Sequence, residues 1–394
     1  MTVGLQTSPE RLLADAADAL RRGDTAQALA IIGQAEAAQP HDPQIKMQRA
    51  LALRLSGAFP AAIAALDEAL TLEPYNFLAL LSKGALVEKV EGERPAARVY
   101  QNALKLAPDA DNLPPSLKGA VARAREVVET TQAALEAYLR DEVGPVDAAG
   151  SEMAVRRLDE AVGIYAGRKR VYPQEPLLLH YPRLPAIPFY PREMFPWLGE
   201  LEAATPLIQT ELQTLLAEDM RDFAPYIAFP PDVPVNQWGE LNHSRRWSSL
   251  FLWKDGERQE AVCARCPQTA ALLARLPMAH QPEFAPTAMF SALDARTHIP
   301  PHTGSTNTRL LAHLPLVLPG PARFRVGNET RTFKMGEAWV FDDTIEHEAW
   351  NDADELRVIL IFDVWNPYLE PGERELIKTL MTARNRFYAG GGAS

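Results

Sequence analysis

Two histidines and two arginines in the last third of this 394-residue chain have the types and spacing to do chemistry. His302 sits in Pro301-His302-Thr303-Gly304, and His347 follows 45 positions later in Glu346-His347-Glu348. Two imidazoles brought from different strands to one cavity suit a divalent transition metal. Non-haem iron sites usually add a carboxylate, most often two residues after the first histidine; that position is Gly304, which has no side chain to offer. Arg309 and Arg357 fall in apolar, strand-like runs, Arg309-Leu310-Leu311-Ala312-His313 and Arg357-Val358-Ile359-Leu360-Ile361. A guanidinium is almost never buried without an anion, so both predict an anionic ligand in an apolar setting. A lone histidine says little, being more often a satisfied structural residue. The pair together with Arg357, ten positions after His347, points to a combined metal and anion site. His313 is open to either reading, a ligand contact or a core histidine bonded to backbone.

These residues need strands to position them. Beyond Trp238 the sequence predicts short strands over 247–253, 287–293, 309–317, 322–326, 329–333, 338–341 and 356–364, with one helix over 268–275. Alternation puts Arg309, Leu311, His313 and Pro315 on one face, and Arg357, Ile359 and Ile361 on another, with Met289 and Ser291 sharing a third. The opposite faces are apolar too, as when a barrel is wrapped by helices. Asp342 and Asp343 read as turn residues before a strand, Glu346 and Glu348 alternate away from His347, and His302 is placed at the start of a turn.

The first third repeats itself. Pro40, Pro74 and Pro108 are 34 residues apart, and Gly23, Gly57 and Gly92 mark the turns between them. A 34-residue helix–turn–helix period is the signature of tetratricopeptide repeats, with a concave face suited to a peptide or protein. A long helix over 116–143 is expected to cap the stack. Gly144 to Gly150 reads as a break, 152–166 as a further helix, and residues 172–196, rich in Pro and aromatics, as extended chain laid over a surface. The expected domains are 1–145, a TPR-like helical solenoid; 146–186, a helix and Pro-rich connection; and 187–394, the β domain that carries the site.

A net charge of −11 argues against nucleic acid as a partner. No apolar run is long enough for membrane insertion, and the N-terminus lacks the basic start and apolar core of a secretory signal. Cys263 and Cys266 are too few for a structural zinc site and read as an ordinary reduced pair, so a cytoplasmic location is expected.

The motifs around the site resemble one family, the aspartyl/asparaginyl β-hydroxylases, a branch of the 2-oxoglutarate- and Fe(II)-dependent oxygenases. The resemblance covers roughly residues 188–369. It is carried by Pro301-His302-Thr303-Gly304 with Thr306, Asn307 and Arg309, by Gly327-Asn328-Glu329-Thr330-Arg331, by Phe341-Asp342-Asp343 with Glu346-His347-Glu348 and Trp350, and by Arg357 with Asp363, Trp365 and Pro367. It implies a double-stranded β-helix of jelly-roll or cupin type after the helical repeats. The cofactors it implies are Fe(II), 2-oxoglutarate and O2, with His302 and His347 as the two metal ligands and no carboxylate. It makes Arg357 and Ser291 partners of the C5 carboxylate of 2-oxoglutarate. Arg309 and His313 fall near its C1 carboxylate and the substrate, and Trp247 and Arg246 fall at the substrate cleft. The implied reaction is hydroxylation of an aspartyl- or asparaginyl-type β-carbon in a peptide or protein that the repeat face could hold. A small molecule or lipid acyl chain is the alternative substrate, and an inactive repeat adaptor the alternative function. Leu311 departs from the family pattern, where a second arginine stands on the same strand face.

Overall fold

The computed structural model describes residues 8–109, 111–144, 151–217, 220 and 222–388. The break expected at 144–150 falls, from residue 145 on, outside the described residues, as do the first seven residues. The chain forms two compact units, Met1–Lys169 and Arg170–Ser394.

The first unit is helical. Helices α1 (Pro9–Arg21), α2 (Thr25–Ala38), α3 (Pro43–Leu55), α4 (Phe59–Leu72), α5 (Phe77–Glu91) and α6 (Glu93–Lys105) pair in succession. The long α7 (Pro115–Val143) packs on α6, and α8 (Glu152–Tyr165) packs on α7. The side chains of Asp24, Asp42 and Asn76 each accept a backbone N–H in the first turn of the helix they begin, which satisfies donors the helix cannot. Gly23 and Gly57 end α1 and α3 at φ near +80°, a conformation that costs glycine least. Small buried residues, Ala16, Ala19, Ala28 and Ala35 among them, let paired helices approach. At Gly84 a Cβ would stand 2.5 Å from the Tyr100 ring, so α5 and α6 are closer there than any side chain allows.

The second unit is antiparallel β with helices. Its elements are α9 (Leu198–Ala203), α10 (Thr205–Ala217), β1 (Ala224–Pro225), β2 (Trp247–Lys254), β3 (Glu257–Arg258), α11 (Glu260–Cys263), α12 (Pro267–Arg275), β4 (Ala288–Leu293), β5 (His298–His302), β6 (Arg309–Val317), β7 (Ala322–Val326), β8 (Glu329–Thr332), β9 (Trp339–Phe341), β10 (His347–Asn351), β11 (Arg357–Trp365) and α13 (Pro371–Tyr388). One sheet runs β1-β2-β4-β11-β6-β9 with β3 beside β2, and a second runs β5-β10-β7-β8. Two cores result. Leu250, Phe290, Leu310, Leu314, Val358 and Leu360 on one face of the large sheet pack with Leu201, Ile208, Leu212 and Leu273 of the helices. Met289, Ile359, Ile361 and Phe341 on the other face pack with Phe324, Val326 and Ala349 of the small sheet. The expectation that both strand faces are buried is met, with helices over one face and a second sheet over the other.

The Pro-rich stretch is extended and pinned along its length. Gln174 bridges Ile345, Leu179 bridges Thr306 and Phe189 bridges Phe341. Asn307 holds both the N–H and the carbonyl of Tyr181.

Neither histidine strand was among the delimited strand runs, although a strand after the Asp342-Asp343 turn was expected. β5 contains Pro300 and Pro301, which hide it from any alternation test, and it survives because it is an edge strand whose pairing with β10 slips at the prolines. β10, His347–Asn351, is short and carries His347, Glu348 and Asn351 among its five residues, so it lacks the hydrophobic signal of a strand.

Candidate active site

β5 and β10 pair with His302 directly opposite His347. The two rings lie 4.1 Å apart between centroids. His302 Nδ1 donates to the carbonyl of Pro300 (2.8 Å), and His347 Nδ1 donates to that of Ile345 (3.0 Å), each two residues back. A carbonyl can only accept, so these bonds put the proton on Nδ1 and leave the Nε2 lone pair of each ring. Burial pushes His302 down to about 4, and burial with the neighbouring His302 pushes His347 well below the ordinary range. Both rings are therefore neutral at pH 7, the form that ligates a metal. Among the described residues no group of three or more His, Cys, Asp or Glu gathers as a metal site, so the pair stands without a carboxylate.

Gly304 has a physical reason. A Cβ there would fall 1.9 Å from Asp343 Oδ2 and 2.2 Å from its Cγ. The Asp343 carboxylate fills the room a residue-304 side chain would need. Burial pushes Asp343 up to about 7, opposed by Arg309. Its neighbour Asp342 is a turn residue as expected, with Oδ1 accepting from the N–H and hydroxyl of Thr344.

A cavity of about 310 Å³ opens between the sheets. His302, His347, Ser291, Arg309, His313, Arg357 and Trp247 all line it. Pairing explains the convergence. Ser291 is opposite Ile359, and Arg357 is opposite Leu293. His313 is opposite Ile361, and Leu311 is opposite Asp363. All these positions share the inner face of the large sheet.

The polar groups at one part of this lining are strikingly unpaired for buried groups. Arg357 is 1% exposed, makes no ion pair among the described residues, and its Nε has no partner. Burial alone brings its guanidinium down to about 10. His313 has no partner at either ring nitrogen, and burial followed by the nearby Arg357 drives it well below its ordinary value. Ser291 Oγ accepts from Trp247 Nε1 (3.2 Å), which leaves its own hydrogen to give. A buried cation with two neutral polar neighbours and no carboxylate is a cradle for an anion.

Arg309 differs. It makes an ion pair with Asp363 and lies 3.9 Å from Asp343. Asp363 is itself held by the N–H of Thr287 (2.7 Å). Arg246 is not brought to the cavity. Its side chain bonds the carbonyl of Arg296, lies 3.9 Å from Glu240, and lines a separate surface cleft with His298. One residue's difference in register separates it from Trp247, which points inward.

Sequence reasoning missed Asp343, Asp363, Tyr226 and Trp238, all in the lining. Tyr226 stacks near Trp247 (4.3 Å) and Trp238 meets the edge of His302 (5.0 Å). The cluster of aromatics in a Pro-rich loop with no period was the available signal.

Comparison with known proteins finds one family. The model of the family described as Aspartyl/Asparaginyl beta-hydroxylase matches residues 202–367. The chain is 37% identical over 160 residues to the human Aspartyl/asparaginyl beta-hydroxylase, covering 40% of this chain and 20% of that protein. It is 34% identical over 200 residues to the Ornithine lipid ester-linked acyl 2-hydroxylase of Rhizobium tropici, covering 50% of this chain and 67% of that one. It is 30% identical over 212 residues to the Aspartate beta-hydroxylase domain-containing protein 2 of Xenopus tropicalis, covering 52% and 55%. The match thus spans about one fifth of the human and mouse relatives.

Proposed function

Because the chain belongs to the aspartyl/asparaginyl beta-hydroxylase family, we propose that it is a 2-oxoglutarate- and Fe(II)-dependent hydroxylase built on a double-stranded β-helix. The observation that carries this reading is the pair of buried neutral imidazoles with free Nε2 atoms, in the same cavity as the unpaired Arg357. The residues present fit both groups. His302 and His347 would hold the metal through Nε2. Arg357 and the Ser291 hydroxyl would take a carboxylate of 2-oxoglutarate, with His313 a hydrogen-bond partner for its other polar end. When bound, iron with 2-oxoglutarate and O2 supplies the oxidation: one oxygen atom enters a substrate C–H bond, the other enters succinate, and CO2 leaves.

The protein's share is orientation and exclusion of water. The backbone carbonyls of Pro300 and Ile345 fix the tautomer and aim of each imidazole. Phe341, Phe324 and Phe333 surround His313 and keep the cradle dry. A dry site strengthens the Arg–carboxylate bond that sets the cofactor's orientation.

Two substrate classes come with the relatives. One is an aspartyl- or asparaginyl-type side chain of a peptide or protein, which the helical repeats could hold. The other is an ester-linked acyl chain or small molecule. They differ in whether a short polar carboxylate or carboxamide, or a hydrocarbon chain, enters the cavity. We place the reaction in the cytoplasm, and the described residues include no helix long and apolar enough to cross a membrane.

The test is succinate formation from 2-oxoglutarate with Fe(II) in air, with a mass-spectrometric search for products one oxygen heavier. The expected result is iron-dependent turnover that His302→Ala abolishes. Iron-loaded protein that neither binds 2-oxoglutarate nor makes succinate would sink the reading and leave an inactive adaptor.

A further inference from the structure

The charges around Arg309 bear on which substrate class the cavity takes. Arg309 and Arg357 are the cations in the cavity lining. If Arg357 is taken by 2-oxoglutarate, as proposed above, Arg309 is what remains for a substrate carboxylate. Its guanidinium is already engaged by Asp363, with Asp343 3.9 Å away. Two acidic side chains thus share one cation, and an entering carboxylate would have to displace the Asp363 ion pair to reach it. Asp363 cannot readily swing aside, because its other oxygen accepts the N–H of Thr287 at 2.7 Å and it is 1% exposed.

The neighbouring position offers no rescue. Leu311 is two residues from Arg309 on the same strand face, in register with Asp363 on one side and Phe341 on the other. Its side chain adds hydrocarbon where a cation would be needed. Tyr226, Ile227, Phe229 and Trp238 extend that surface along the same cavity. Burial of CH2 groups against such a surface stabilises by about 0.8 kcal/mol each, with no charge required.

From this we infer that the substrate segment entering the cavity carries no carboxylate and is a neutral, largely hydrocarbon chain, with Arg309 serving as an internal counter-ion to Asp363 and Asp343. The inference rests on the proposed hydroxylase reading.

Calorimetry tests it on the whole protein loaded with Mn(II) and 2-oxoglutarate under argon, where no turnover occurs. The probes are N-octanoyl glycinamide, the same molecule with a carboxylate at the chain end, and the peptide acetyl-Gly-Asp-Gly-amide. The neutral probe is expected to bind at least about tenfold more tightly than either acid, since an unpaired carboxylate is costly in an apolar site. In air it should raise succinate release and gain one oxygen. Leu311→Arg, checked for folding by circular dichroism and for 2-oxoglutarate binding, is expected to reverse the order by adding the missing cation. Equal or tighter binding of either acid by the natural protein overturns the inference, as does failure of the neutral probe to bind. Titration of 2-oxoglutarate alone comes first. If it does not bind, the hydroxylase reading falls and takes this inference with it; if it binds and the acids win, only the inference falls.

Discussion

Arg357 and Arg309 lie on the inner face of the same sheet and line the same cavity, yet the fold treats them oppositely. Around Arg357 are His313, Ser291 and the Phe333 ring, and among the described residues no carboxylate pairs with it. Around Arg309 are Asp363 and Asp343. An unpaired buried cation costs stability in the empty protein, and that cost is returned when an anion binds. A paired one holds the fold and is not available to a ligand. The difference separates a binding group from a structural one, although both are arginines on apolar strands.

Replacing each arginine by methionine should break the comparison if it is wrong. Arg357→Met is expected to weaken 2-oxoglutarate binding by about a hundredfold or more, since it removes a buried charge-assisted contact. In the absence of ligand the same variant should unfold at the same or a higher denaturant concentration, because the lost charge had no partner. Calorimetry and urea melts measure the two effects.

Arg309→Met should behave in the reverse way. It leaves Asp363 and Asp343 buried together without a cation, which is expected to destabilise the ligand-free protein by about 3–5 kcal/mol. Adding Asp363→Asn to it should recover part of that loss. Equal stability of Arg309→Met and the natural protein in urea would remove the structural role assigned to Arg309.

These contrasts were only half legible in the sequence. Strand alternation set Arg309, His313 and Arg357 facing inward, because both faces of β6 and β11 are apolar and any polar residue stands out. The partners were not legible. Asp363 lies 54 residues from Arg309 and meets it only because β11 lies beside β6, two positions from a direct pair. Asp342 and Asp343 both lie in the expected turn, and only the packing of the Asp343 carboxylate against Gly304 distinguishes them. The histidines drew attention by type, while their strands were hidden by Pro300 and Pro301 and by the polar side chains of β10. Arg246 lines a different cleft from Trp247, which it precedes directly, because neighbouring residues point to opposite sides. The helical repeat was the most legible part, since each proline and glycine mark follows from local backbone geometry.

The histidine pair sharpens the comparison by a third route, since burial there suppresses charge instead of compensating it. Burial pushes folded His302 down to about 4 and holds His347 well below the ordinary range, whereas unfolded histidines titrate near 6.5. Between those values the unfolded chain binds more protons, so the stability of the metal-free protein should rise with pH through that window. Metal binding then releases no proton from these rings at neutral pH, and Mn(II) affinity should stay flat from pH 7.5 down to about 5. A steep loss of affinity near pH 6.5 in the titration would mean the rings are not held neutral.

The smallest effect is expected at Trp247, whose indole is hydrogen-bonded to Ser291. Its Nε1–H occupies a lone pair of Ser291 Oγ, so the serine hydroxyl is free to donate into the cavity without leaving the indole unpaired. Trp247→Phe keeps much of the packing against Tyr226 and Trp238 but removes that donor. A single neutral hydrogen bond contributes about 1 kcal/mol, so a urea melt should show a loss of that size. Once released, the Ser291 hydroxyl can rotate toward other acceptors, and 2-oxoglutarate affinity should fall only a few-fold, far less than for Arg357→Met. Were the two affinity losses equal, the indole would have to contact the bound anion's site directly, and Arg357 would no longer stand apart as the cation that the cavity reserves for it.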